Sequence, residues 1–399
     1  MENYADRYFD WAATSPQDSE ILHKALTEAT ETFANPSSIH KEGQKARAAL
    51  EKARTLAATV LGVKPAQLFF TSGGTESDQI PLMALLSKPE RGRVIISGIE
   101  HPAIREQASK LKLVGFDVVT VNPDKNGFIS ADSVAEKITP DTLYVAVMAV
   151  NNETGCIQPI YQIADKITEA SQGKRRPHFH VDCVQAAGKV PLNLAYKGID
   201  SAALSAHKIC GPRGIGILYL ANHERLRPFL TGGGQEQNIR SGTENLFGAL
   251  AFSEVLKKHF IAGQSDAKSV QTQRFEEQTK MTEDFISSLL QLPNCTIVPE
   301  IRANADGNTQ KLFSPWIVQA AFKGIPGAVM VRALDAKGFE ISTGSACSAK
   351  KQSRPVLQAM SASKDIQDTA VRFSFGPLTT AEGMKQLANA VAEICSDFS

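Results

Sequence analysis

Lys208 stands in Ser205-Ala206-His207-Lys208-Ile209-Cys210-Gly211-Pro212, between an apolar β-type stretch (Ala202, Ala203, Leu204) and a Gly-Pro turn. A primary amine there is poorly placed as a solvated surface charge and well placed to condense with an aldehyde. Upstream, Asp182 ends another short apolar run, His180-Val181-Asp182. A carboxylate beside a pyridine nitrogen keeps it protonated, so that the ring accepts electrons from a substrate carbanion. An amine for an aldehyde and an acid for a ring nitrogen are two contacts that pyridoxal phosphate requires. By itself, Lys208 fits equally a half-buried lysine whose head reaches water.

Other residues could complete such a site. Thr71-Ser72-Gly73-Gly74-Thr75-Glu76-Ser77 follows a strand-like run and leads into a helix pattern. Glycines let backbone N–H groups approach an anion at a helix N-terminus, and the Thr75 and Ser77 hydroxyls add donors; an ordinary strand–helix turn has the same look. His101, in Glu100-His101-Pro102, can stack on a flat ring and exchange protons with its substituents, or can be a structural histidine. Asn152, in Asn151-Asn152-Glu153, and Gln185, just beyond Asp182, could meet a phenolic oxygen on that ring. Arg372 alternates with apolar residues in Val371-Arg372-Phe373-Ser374-Phe375 and suits either a substrate carboxylate or a structural ion pair. Cys347 lies among small residues, with Lys350 and Lys351 after it. Cations lower a thiol pKa from its usual ~8.5, although an incidental exposed cysteine would have the same neighbours.

The elements that would position these residues follow from periodicity. Ile21, Leu22, Ala25, Leu26, Ala29 and Phe33 recur at helical spacing, as do Ala46, Ala49, Leu50, Ala53, Ala57 and Val60. The turn-rich Asn35-Pro36-Ser37-Ser38 separates them. Short apolar strands at 68–71, 93–97, 118–121, 143–150, 178–182, 202–205 and 215–220 then alternate with helices, which implies an α/β fold with a mostly parallel seven-stranded sheet covered on both faces. Ligands in such sheets collect beyond the carboxyl ends of the strands. The Gly-rich polar loop at 232–243 is of a kind that binds. A long helix at 266–292, strands near 316–321 and 370–375 and a last helix at 380–397 imply a smaller α+β unit. The expected organisation is a large domain of residues 15–255 and a small one built from 1–14 and 256–399.

Composition narrows the function class. Lys+Arg (43) nearly balances Asp+Glu (42), so no basic excess points to nucleic acid. No apolar run approaches the ~20 residues needed to cross a bilayer, and the N-terminus lacks a signal-peptide pattern. A cytoplasmic protein acting on small molecules is expected. The six cysteines, Cys156, Cys183, Cys210, Cys295, Cys347 and Cys395, are scattered, which indicates neither a zinc site nor a disulfide framework.

Taken together and in this order, these segments resemble the cysteine desulfurases, PLP-dependent enzymes of the fold-type I, class V aminotransferase superfamily. The resemblance runs from Tyr8-Phe9-Asp10-Trp11-Ala12-Ala13-Thr14 to about residue 395. Its most specific pieces are Ser-Ala-His-Lys with Gly-Pro-Arg-Gly, the Arg-Ser-Gly-Thr loop, and Gly-Ser-Ala-Cys followed by Arg-Phe-Ser, which is similar to the branch serving iron–sulfur cluster assembly and tRNA thiolation. The resemblance implies that Lys208 carries pyridoxal phosphate as a Schiff base and that Cys347 is the nucleophile. It implies that Gly74, Thr75, Ser205, His207 and, from a neighbouring subunit, Thr243 surround the phosphate. Asp182 would pair with the ring nitrogen, Gln185 with the phenolic oxygen, and His101 would stack on the ring with Asn152 beside it. Arg372, helped by Asn35, would bind the carboxylate of L-cysteine. A homodimer and a sulfur-acceptor protein are the implied partners. Ala206, Gly74 and Thr154-Gly155-Cys156 depart from common family residues without removing a functional group. The chain ends soon after its last helix, where members that dock a cluster scaffold carry a longer tail. Two other activities use the same fold, selenocysteine lyase and small-amino-acid aminotransferase, and a non-catalytic sulfur carrier is the third alternative.

Overall fold

The computed structural model describes residues 4–173, 175–261, 269–304, 306–344 and 353–398. Seven strands form the larger sheet: β1 (Leu68–Thr71), β2 (Arg93–Ser97), β3 (Asp117–Val121), β4 (Thr142–Ala146), β5 (His178–Asp182), β6 (Ser201–Ser205) and β7 (Gly216–Leu220). Their order is β1-β7-β6-β5-β4-β2-β3. From β3 to β6 every pair is parallel, and β7 runs antiparallel to both β6 and β1. The short, apolar runs of β4, β6 and β7 are buried at every position, as expected of strands covered on both faces.

The covering helices include α1 (Ser19–Glu31), α2 (Lys41–Leu61), α3 (Gly74–Met83), α4 (Pro102–Leu113), α5 (Ile160–Ala170) and α6 (Leu246–His259). Helices α7 (Val270–Leu289), α8 (Gly327–Ala336) and α9 (Ala381–Asp397) pack around a second, antiparallel sheet. It consists of β8 (Cys295–Val298), β9 (Ile317–Phe322) and β10 (Ala370–Ser374), in the order β10-β9-β8. Val145, Phe179, Leu204 and Phe252 belong to one core; Phe285, Ile317, Phe373 and Val391 belong to another, which Phe9 and Ala12 join from the N-terminal segment.

The structure differs from the sequence reading at four places. The strand expected over 143–150 pairs regularly only to Ala146; Val147 and Ala149 still donate to the His180 and Asp182 carbonyls, at 3.3 and 2.8 Å, while the chain bends towards the next loop. Strand β8 was not expected, because Cys295-Thr296-Ile297-Val298 is short and only half-buried at its first two positions. Phe33 lies past the end of α1 and is exposed. The helix expected over 266–292 is α7, capped by the Ser269 hydroxyl; residues 266–268 lie outside the described residues.

The turn from β1 into α3 depends on glycine. Gly73 has φ 152° and ψ −178°, a backbone region essentially closed to other residues. Gly216 on β7 crosses so near that a Cβ there would lie 2.6 Å from the Gly73 carbonyl carbon. That close approach lets the first turn of α3 open over the ends of the central strands.

Candidate active site

A cavity of about 820 Å³ lies beyond the carboxyl ends of β1, β2, β4, β5 and β6. The loop after β1 contributes Gly74 and Thr75; that after β2 contributes Glu100 and His101; that after β4, Asn152 and Glu153. Asp182 comes from the end of β5 with Gln185 after it, and Ser205 from the end of β6 with His207 and Lys208. The rest of the lining includes Ala12 and Ala13, Gly344 and Ser353, and Arg372 on β10. Ten of the residues singled out in the sequence therefore face one space.

Three do not. Asn35 is exposed, and its carboxamide oxygen accepts the Ser37 N–H at 2.8 Å, which makes it a turn residue of the α1–α2 loop in this chain. Thr243 is also exposed and away from the cavity. Cys347 lies outside the described residues, although Gly344 and Ser353, the described residues on either side of its segment, both line the cavity.

Lys208 projects from a short 3₁₀ turn after β6 (Ala206–Lys208), and its Nζ donates to the Ala12 and Ala13 carbonyls, each at 2.7 Å. Asp182 is buried, and one of its oxygens accepts the Val184 N–H at 2.9 Å. Burial raises its carboxyl affinity for a proton, opposed by the positive charges of His101 and Lys208. His101 is the N-cap of α4: its Nδ1 accepts the Ala103 N–H at 3.2 Å, so the neutral ring carries its proton on Nε2. Burial lowers its pKa, against the opposing pull of Asp182. His207 is pushed down to about 4, first by burial and then by the Lys208 charge, so it serves as a neutral donor or acceptor.

Arg372 is 2 % exposed and already engaged. Its Nη2 pairs with Asp10 at 2.6 Å, its Nη1 donates to the Asn152 carbonyl at 2.9 Å, and its Nε has no partner among the described residues. Asn151 is structural: its carboxamide oxygen accepts from the Glu153 and Thr154 N–H groups, forming the turn that presents Asn152. The sequence reading passed over Asp10, Glu100 and Glu153. Each sits inside or beside a segment noted for another residue, and only the folded chain brings Asp10 to Arg372. Burial raises the Glu100 carboxyl to about 8, while Ser97 and the Met148 N–H bind its Oε1.

These residues fit pyridoxal phosphate. The first turn of α3 has no side-chain cap, so the N–H groups of Gly74 and Thr75 face the cavity unpaired within the helix. The buried Asp182 carboxylate calls for a cationic partner inside the cavity, and the Lys208 amine lies on the same wall. No group of three or more metal-ligating side chains occurs among the described residues.

The class-V aminotransferase family model matches residues 7–387. A cysteine desulfurase IscS of Methanosarcina thermophila is 35% identical over 395 residues, covering 97% of this chain and 91% of that protein. The cysteine desulfurase IscS of Dictyoglomus turgidum is 30% identical, with 97% and 94% covered. Among solved structures, a NifS-like protein superposes with a TM-score of 0.86 at 30% identity, covering 98% of this chain and all of that one. SspA, solved in complex with cysteine, gives a TM-score of 0.76 at 29% identity, with 94% and 100% covered. Agreement over nearly the whole length, at both levels of comparison, shows that this chain belongs to the class-V aminotransferase family and, within it, to the cysteine desulfurases.

Proposed function

We propose that the protein binds pyridoxal phosphate at Lys208 and converts L-cysteine to L-alanine, leaving the sulfur on Cys347 as a persulfide. The observation that carries this reading is the single cavity in which Lys208, Asp182 and the open N-terminus of α3 meet Arg372. Gly344, three residues before Cys347, lines the same cavity, and three residues of chain span at most about 11 Å.

The bound cofactor supplies an electron sink for negative charge at the substrate α-carbon. Gly74, Thr75, Ser205 and His207 would hold its phosphate, Asp182 its ring nitrogen, and Gln185 with Asn152 its ring edge. The His101 imidazole would stack on the ring, and its Nε2–H would exchange a proton at the ring's substituents. Arg372 binds the substrate carboxylate through its guanidinium and so orients the α-carbon. Lys208 moves the proton at that carbon. At the sulfur, the Cys347 thiolate forms an S–S bond as the C–S bond breaks. The electron pair stays with the three-carbon fragment, which takes a proton and leaves as alanine. Atoms balance as cysteine plus enzyme thiol giving alanine plus enzyme persulfide, with no external oxidant.

The organisation that accompanies this reading is a large domain, residues 15–255, and a small one formed by 1–14 and 256–399. The two cores, with Phe9 and Ala12 in the second, support it. Exposed Thr243 would reach the phosphate site of a second copy in a homodimer. A sulfur-acceptor protein in iron–sulfur cluster assembly or tRNA thiolation would then take the persulfide sulfur. No helix among the described residues is long and apolar enough to cross a membrane, which accords with a cytoplasmic location.

The test is to load wild type and Lys208→Ala with pyridoxal phosphate and supply L-cysteine. Wild type is expected to show a visible absorbance band and to form alanine, and the variant to do neither. An unchanged band in the variant would show that Lys208 does not carry the cofactor.

A further inference from the structure

Lys189 is a second lysine in the wall behind the cavity, and nothing in the reaction described so far uses it. It is 6 % exposed, and among the described residues its ammonium meets no carboxylate. Among the described residues its ammonium donates one hydrogen bond, to the Gln185 Oε1 at 2.6 Å. The backbone beneath it is pinned from the second core, where Trp316 Nε1 donates to the Lys189 carbonyl at 2.6 Å. A lysine buried this way, without a counter-ion, costs stability, so packing alone gives no reason for its charge.

The hydrogen bond has a consequence for Gln185. An ammonium has no acceptor, so the atom facing Lys189 must be the carboxamide oxygen. The Gln185 N–H₂ is thereby turned the other way. One of its hydrogens goes to the Ala12 carbonyl at 2.9 Å, and that same carbonyl accepts from Lys208 Nζ at 2.7 Å. Lys189, Gln185, Ala12 and Lys208 form one continuous chain of contacts. The second hydrogen of the amide is left on the cavity side, where Gln185 forms part of the lining.

We infer that Lys189 is a positioning residue: it locks Gln185 as a hydrogen-bond donor toward the cavity and backs it with positive charge, favouring an anionic oxygen on the bound ring. This rests on the proposed pyridoxal phosphate site. The charges facing Lys189 are those of Lys208 and, from β10, Arg372, together with the Cys210 thiol; those facing Lys208 include Asp182, His101 and His207. Burial, reinforced by the Lys208 and Arg372 charges, pushes Lys189 down to about 7. Its positive charge is therefore present below neutrality and is lost as pH rises through that value.

The experiment compares wild type with Lys189→Met, a substitution of similar volume, each loaded with pyridoxal phosphate. The visible band is titrated with pH, and the unloaded proteins are melted. Removing a cation and a fixed donor from behind the ring is expected to move the band's pH midpoint upward by about one unit. The unloaded variant is expected to melt no lower than wild type, since no ion pair is broken. A midpoint within about 0.2 units of wild type overturns the inference, whatever the melting temperature, because a merely structural lysine would alter only the latter. A wild type that takes up no pyridoxal phosphate overturns the parent reading instead. Should the Met variant fail to fold, Lys189→Gln, which keeps a donor but removes the charge, is titrated against the same expectation.

Discussion

Arg372 is a buried cation with two partners already in place. Asp10 holds one of its terminal nitrogens at 2.6 Å, and the Asn152 carbonyl takes the other at 2.9 Å. On the proposed reading a substrate carboxylate would share that fork, whose planar geometry a lysine cannot reproduce. Arg372→Lys is therefore expected to raise the cysteine concentration for half-saturation roughly tenfold, a loss of about 1.4 kcal/mol, with the fold retained through Asp10. Steady-state titration with L-cysteine checks this. Unchanged saturation with a lower melting temperature would make Arg372 a structural partner of Asp10 and nothing more. Residue types near Lys208, Asp182 and His101 were legible in the sequence because each follows a short apolar run, and strand ends are where sheets of this class collect ligands. Lys189 and Asp10 were not. A lysine in Ala-Gly-Lys-Val reads as a turn residue, and Asp10 acquires meaning only when β10 arrives from the far end of the chain.

Among the elements, the loop from β7 to α6 is the most constrained. Glu236, Gln237 and Asn238 all have positive φ, at 47°, 53° and 66°, a run that L-residues adopt only when the surroundings impose it. The constraint is visible. Both oxygens of Glu236 meet Arg54 of α2 at 2.7 Å, and one also accepts the Phe70 N–H of β1 at 2.8 Å. Composition alone marks this loop as polar and binding, whereas the folded chain shows a buried anchor in its centre. Glu236→Ala would strand the Arg54 guanidinium without its main counter-ion, a loss of about 3 kcal/mol. Urea unfolding of the variant is the measurement, and a midpoint equal to that of wild type would show that the loop is held by other contacts. The seven strands of the main sheet could be read from the sequence because each is a short run rich in apolar and β-branched residues between turn signals. Strand β8 could not, since a short edge strand with half-exposed ends carries no such run.

At the scale of the whole molecule, the cavity exists only because two cores meet across it. Lys208, Asp182 and the start of α3 hang from the larger sheet, while Arg372 and Gly344 belong to the wall built on the second. The N-terminal segment ties these together. Phe9 N–H donates to the Glu340 carbonyl and the Ser374 N–H donates back to Phe9, both at 2.8 Å, which sets Ala12 and Ala13 against Lys208. Lys208 and Arg372 thus line the same cavity, as do Gly344 and Ser353, the described residues on either side of the segment carrying Cys347. The proposed sulfur transfer to a protein thiol gives Cys347 a role, whereas an aminotransferase would have no use for it. The most direct measurement is release of alanine and sulfide from L-cysteine in the presence of a thiol reductant, comparing wild type with Cys347→Ala. Wild type should release the two products in equal amounts, and the variant, still loaded with pyridoxal phosphate, should release neither. A variant that keeps the wild-type rate would contradict the assignment of Cys347 as the sulfur acceptor.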